Sequence, residues 1–254
     1  MVLWAVLAVV VGLGVWLYVE LRPEPQPDVE KAAHSAAARE ADRVLTARLD
    51  GQVEKVKVGL PWATYLGTTV ADVCSTDTVR RGFSFTRERW LPVTCTRTTT
   101  VYEAFDGDFR ERLGQLDAAL AAAGWSAGWT GNPMYKGQQP GLVAALDYVY
   151  GARAKPGPVR VQYGVPIRDD FVSQDPGGPN RAPNGEVEVV QGPGLPSLDG
   201  GTYLHDVYLK YPTVKTKYYV DWQPYSRERL AADAYPAHST VVAITVTGSY
   251  NTGP

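Results

Sequence analysis

Charge of one sign is what this chain most lacks: 25 lysines and arginines stand against 27 aspartates and glutamates, a formal net charge of −2. Without a basic excess there is little to neutralise a run of phosphates, so nucleic acid is not expected as a partner. Metal-ligating side chains are also scarce, with two cysteines and three histidines in 254 residues. His34, His205 and His238 lie far apart in the chain, so no zinc site assembles at ligand spacing. A Cys-x-x-Cys redox pair, a Gly-x-Ser-x-Gly elbow and the Gly-Lys-Ser/Thr end of a phosphate loop are all missing. No motif therefore commits the chain to a reaction, a metal or a cofactor. The composition itself, 44% hydrophobic and 20% charged, is that of a folded domain.

Charge is also absent from the beginning of the chain. Val2 to Val19 contains no charged group and no strong polar one. As a helix this run spans about 27 Å, close to the hydrocarbon thickness of a bilayer. Trp4 lies near one end and Trp16 and Tyr18 near the other, where amphipathic rings favour the interface. Glu20, Leu21, Arg22 and Pro23 follow directly instead of a small-x-small cleavage site. The expectation is an uncleaved transmembrane anchor over 1–21, with the lipid bilayer as the partner of residues 2–19. No lysine or arginine precedes the run, and Arg22, Lys31 and Arg39 follow it, which taken alone would keep the domain in the cytoplasm. The cysteines argue for the opposite face.

Cys74 and Cys95 each sit in a strand-like run, LGTTVADVC and LPVTCTRTTTVY. With no histidine placed to activate a thiol, the reading is a structural disulfide clamping the ends of a hairpin-like excursion. Such a bond persists outside the cytosol. The domain is accordingly expected on the extracytoplasmic side of the cell membrane.

After the anchor, prolines 23, 25 and 27 make 22–27 a stiff polyproline-like spacer. Residues 28–254 read as one α+β domain. It opens with an alanine-rich helix over 28–50, stopped at Asp50 and Gly51. Thr94 to Phe105 alternates and is β-branched, a strand. Asp108 caps the next helix with Glu111 three residues on. Phe109, Leu113, Leu116 and Leu120 form its apolar stripe, and Gly124 ends it beneath Trp125. Leu142 to Ala152 and Val159 to Val165 read as strands, and 176–201 as a loop rich in glycine and proline, interrupted by the strand EVEVV. Thr202 to Tyr211 and Val214 to Trp222 form an expected hairpin. Ser226 caps a short helix, and Thr240 to Tyr250 is a central strand. Two strand-helix-strand units and many hairpins point to a largely antiparallel sheet.

The run Cys95 to Tyr102, then Phe105 to Arg112, then Leu116 to Trp125, resembles a segment of membrane-anchored exported proteins of high-GC Gram-positive bacteria. Those proteins share the N-terminal hydrophobic anchor and a cysteine ahead of the segment. The resemblance implies an envelope location. It implies no activity and supplies no catalytic residue.

Several side chains invite chemistry. Asp106 and Asp108 form a DGD, but a calcium loop needs further oxygen ligands in sequence, and helix capping explains Asp108. Asp169 and Asp170 are an acidic pair on a polar loop. With Asp199 and Asp206 they are the carboxylates a hydrolase would have to use. His205 and Asp206, with His238 beside Ser239, hold the residue types of a hydrolase triad, yet neighbours on a strand face opposite ways. The aromatic residues are the better candidates. Tyr203, His205, Val207, Leu209 and Tyr211 share one face of the expected hairpin, and Val214, Tyr218, Val220 and Trp222 one face of its second strand. Half-buried packing accounts for this alternation. It also supplies a possible binding face of Tyr203, His205, Tyr211, Tyr218 and Trp222 for an envelope protein or glycan. A non-enzymatic envelope-binding module is the leading expectation, ahead of a hydrolase with loop carboxylates or a structural subunit of a membrane assembly.

Overall fold

The structure, a computed structural model, describes residues 24–80, 88–127, 141–151, 157–167, 185–192, 194–196 and 216–252. In chain order the elements are α1 (Val29–Ala33), α2 (Ala36–Val58), β1 (Thr64–Ser75), β2 (Thr78–Arg80), β3 (Glu88–Trp90), β4 (Thr94–Phe105), α3 (Phe109–Ala122), β5 (Ser126–Ala127), α4 (Leu142–Tyr150), β6 (Val159–Gly164), β7 (Gly185–Gln191), β8 (Lys217–Gln223), α5 (Arg227–Ala234) and β9 (Thr240–Asn251). Seven strands form one sheet in the order β5-β6-β7-β9-β4-β1-β8, and every pairing in it is antiparallel. β2 and β3 make a separate two-stranded ribbon. The fold is α+β with an antiparallel sheet.

The central strands β4 and β9 pair along their whole length, from Thr94 opposite Asn251 to Phe105 opposite Thr240. Alternation along them separates two faces. Val101, Phe105, Val242, Ile244 and Val246 point into the larger core, under α1, α2, α3 and α4. Tyr102, Ala104, Val241 and Ala243 point the other way and meet Leu230 and Ala234 of α5.

β4 has the bounds expected of it, and so does the helix after it. Asp108 Oδ1 accepts from the Glu111 amide, Phe109, Leu113, Leu116 and Leu120 are buried, and Gly124 takes φ +84°. The amides of Gly124 and Trp125 donate to the carbonyls of Ala121 and Leu120, the paired bonds that close a helix on a left-handed glycine. Ser226 Oγ accepts from Arg229 N at the start of α5.

Two expectations are corrected. The N-terminal helix does not stop at Asp50 and Gly51. It breaks earlier, at His34 and Ser35, and α2 then runs to Val58. Leu45, Leu49, Val53 and Val56 are buried at helical spacing, while Gly51 faces open space. The packing of that stripe outweighs the roughly 1 kcal/mol that an internal glycine costs. Gly248 of β9 lets α2 lie close to the sheet, because a Cβ there would come within 2.5 Å of Leu45 Cδ1.

The second correction concerns Leu142 to Ala152, expected as a strand: Leu142–Tyr150 is helix α4. A short apolar run reads equally well either way. The deciding group is distant: Asp117 of α3 accepts from the amides of Leu142 and Val143 at 2.9 and 3.2 Å, and from the Tyr163 hydroxyl at 3.0 Å. The Asp117 carboxylate thus performs the capping that Gly141 has no side chain to provide. It also fills the space a Cβ on Gly141 would need, 2.8 Å away. Asp117→Ala is expected to remove about 2 kcal/mol, since it strips a cap and leaves the buried Tyr163 hydroxyl unsatisfied. Thermal unfolding should show a fall of roughly 4–8 °C. An unchanged melting temperature would mean that the cap carries no weight.

Candidate functional site

The disulfide Cys74–Cys95 is present and joins register partners on β1 and β4. Both cysteines are fully buried on the helix-covered face. Between them runs the excursion that carries the β2–β3 ribbon, as a clamp requires. Trp90 of β3 also holds the spacer: its amide and its indole Nε1 donate to the side chain and the carbonyl of Glu24.

Of the residues singled out from sequence, Tyr203, His205, Asp206, Tyr211, Asp169, Asp170 and Asp199 lie outside the described residues. Tyr218 and Trp222 are both on β8, and a register shift separates them. Asp72 of β1 faces Asp221, but Val73 faces Tyr219, so Val220 is extra. A bulge of this kind resets the alternation. Tyr218 and Val220 therefore pack under the helices, where the Tyr218 hydroxyl meets His34 Nε2 at 2.9 Å. Trp222 and Tyr219 lie opposite Ala71 and Val73 on the other face, with ring centroids 5.8 Å apart. The aromatic face expected to include both Tyr218 and Trp222 is split.

The DGD pair is occupied with structure. Asp108 caps α3. Asp106 accepts from His238 Nδ1 and from the Ser239 amide, each at 2.9 Å, and from the Ser239 hydroxyl. The bonds from His238 and Ser239 hold the Asp106 carboxyl below its usual range. Acid, imidazole and hydroxyl thus meet, but in an order unsuited to acyl transfer: the hydroxyl is held by the carboxylate, whereas a nucleophile needs the imidazole as its base. Among the described residues no group of three or more histidine, cysteine, aspartate or glutamate side chains is arranged to hold a metal ion.

Two buried acid sites under α2 escaped sequence reading. In the first, the Arg97 guanidinium of β4 meets Asp42 of α2 at 3.3 Å, Asp72 of β1 at 3.4 Å and Asp221 of β8 at 3.3 Å. The Tyr250 hydroxyl donates to Asp72 Oδ2 at 2.9 Å. Asp72 is fully buried, and desolvation lifts its carboxyl to about 6. Burial also raises the Tyr250 hydroxyl, with Asp72 adding to the effect. In the second site Glu103, 3% exposed, sits near Lys57 and Glu54 of α2, and burial pushes it up to about 7.

On the opposite face, β4 and β9 present a ladder of hydroxyls. Thr96 pairs with Ser249 at 3.1 Å, Thr98 with Thr247 at 3.2 Å and Thr100 with Thr245 at 2.8 Å. The pair at the α5 end, Thr100 and Thr245, is buried; Thr96, Thr98 and Thr247 are half-buried and Ser249 is exposed. Among the described residues α5 is the only helix packed on this face, and it covers the other end. Tyr219 and Trp222 flank the ladder on one side. On the other, Arg160 bridges Glu186 and Glu188 at 3.0 and 3.1 Å. The ladder is an uncharged strip of hydrogen-bonding groups beside two aromatic rings. The chain matches no protein-family model, no curated protein and no solved structure.

Proposed function

We propose that this chain is a membrane-anchored, extracytoplasmic binding module whose ligand is a neutral glycan of the cell envelope. The observation that carries the reading is the hydroxyl ladder. Helices α1 to α4 stack on one face of the sheet, and the opposite face keeps half-buried Thr96, Thr98 and Thr247 and exposed Ser249 in register. Uncharged donor-acceptor hydroxyls match the hydroxyls of a sugar, and aromatic side chains at the margin are suited to pack on a sugar ring. The buried disulfide supports an oxidising compartment.

The anchor reading rests on the uncharged run Val2 to Val19, which lies outside the described residues. Among those described, no helix is long and apolar enough to cross a membrane. Full-length protein is expected to sediment with membranes and to enter solution only with detergent, and a version starting at Glu24 to stay in the supernatant. Binding is read separately, by co-sedimentation of the Glu24 version with insoluble cell-wall polysaccharide. Replacing Thr96 and Thr247 by valine and Ser249 by alanine removes three hydroxyls, each worth about 1 kcal/mol, so affinity should drop at least about tenfold. Equal retention of the triple variant and the parent would defeat the glycan reading.

A further inference from the structure

We propose that the seat of α2 on the sheet is a proton-operated latch, closed when Asp72 and Glu103 carry protons and loosened when both ionise. The inference stands apart from the glycan reading and uses the opposite face of the sheet.

The geometry is that of one helix laid along β9, with β4 beside it, over two acid sites. Toward its N-terminal half, Asp42 faces Asp72, and the charged or titratable groups around the pair are Arg97 from β4, Asp221 from β8 and Tyr250 from β9. Three carboxylates face the Arg97 guanidinium, so ionising all of them leaves excess negative charge around the buried Asp72. Oδ1 of Asp72 has no hydrogen-bond partner. A proton on Asp42 or Asp72 turns their repulsion into a shared hydrogen bond. Toward the C-terminal half, Glu103 faces Lys57 and Glu54 from α2 and stands in register with Tyr65 of β1. Lys57 is drawn to Glu54 at 3.3 Å and lies over the Tyr65 ring at 4.8 Å, and Oε2 of Glu103 is buried without a partner. Protonated, that carboxyl is a neutral buried group. Ionised, it is a buried charge best relieved by admitting water, which means lifting the helix.

The direction follows from linkage. Both carboxyls bind protons more tightly in the folded protein than in an open one. Their stabilisation is therefore complete in the ordinary carboxylate range and is lost as pH rises through about 6 for Asp72 and about 7 for Glu103. An unseated α2 bares the apolar stripe of Leu45, Leu49, Val53 and Val56.

Hydrogen exchange of α2 amides in the full-length protein, in detergent and corrected for the intrinsic pH dependence of exchange, reads the latch directly. Between pH 5 and pH 8 the opening equilibrium is expected to rise at least about tenfold in α2, and far less in β4 and β9. The double variant Asp72→Asn, Glu103→Gln should remain protected at both pH values. Equal protection of parental α2 at both pH values would overturn the latch, as would an unchanged pH response in the double variant. Infrared difference spectra of the parent supply a test that needs no variant. Protonated carboxyl bands that vanish between pH 5 and pH 8 together with α2 protection support the latch, and bands absent at pH 5 overturn it.

Discussion

Replacing Arg97 by alanine is expected to destabilise the domain by about 3–5 kcal/mol at pH 7.5, a large share of the 5–15 kcal/mol typical of a whole domain. Arg97 meets Asp42, Asp72 and Asp221 together, and Asp72 is fully buried beside it. Deleting it strands carboxylates that the sheet and α2 hold together. The loss should appear as a fall in melting temperature of roughly 10 °C or more. It should also shrink on acidification to pH 5, because the stranded carboxyls then take up protons and no longer need the guanidinium. Lysine at the same position keeps the charge but cannot contact three acids with a planar fork, so it should fall between the parent and alanine. A loss that stayed equal at pH 5 and pH 7.5 would show that Arg97 acts through packing alone.

Opening the Cys74–Cys95 bond is the second large effect. The bond closes a loop with a sequence separation of 21 and joins register partners under the helices. Its removal by a double alanine substitution is expected to cost about 3 kcal/mol. The two sulfurs are buried, so thiol reagents should reach them only through an opening of the α2 face, and reduction of the native protein should be slow. Intact-mass measurement before and after reduction under denaturing conditions should differ by two hydrogen atoms. Identical masses would remove the bond, and with it the main support for an oxidising compartment.

The parts of the fold legible in the sequence are those in which a local signal and burial agree. β4, with its alternation and its β-branched residues, and α3, with cap, stripe and terminal glycine, appear at the expected residues because each signal lies within the element. The failures at α2 and α4 came from partners far along the chain. Gly51 was read as a stop, but the sheet beneath α2 decides otherwise. Leu142 to Tyr150 became a helix through Asp117, a residue on another helix.

The acid sites were hidden for a related reason, although a trace was present. Cys95, Arg97, Thr99, Val101, Glu103 and Phe105 share one face of β4, and the cysteine and phenylalanine mark it as the inner face. Asp72 is in phase with Cys74 in the same way. Charged residues in phase with core residues are the signature of a buried ionic site, and that phase is readable without coordinates. The bulge at Val220 is different. Nothing local in Lys217 to Gln223 announces it, because the extra residue is defined only against β1. That single residue split the aromatic face expected from period-two alternation.

The Ser35 hydroxyl donates to the Thr252 carbonyl at 2.8 Å, and Thr252 Oγ1 reaches the Val93 carbonyl at 3.1 Å. The first long helix and the last strand are thereby stitched to each other and to the start of β4. Anything appended after Thr252 emerges beside the spacer, at the same pole of the domain as Glu24, and not at the far side. A fluorescent reporter or affinity handle fused there would crowd the Glu24 end, whereas one inserted at the Asp106–Gly107 turn, at the opposite end of β4, would leave that end clear.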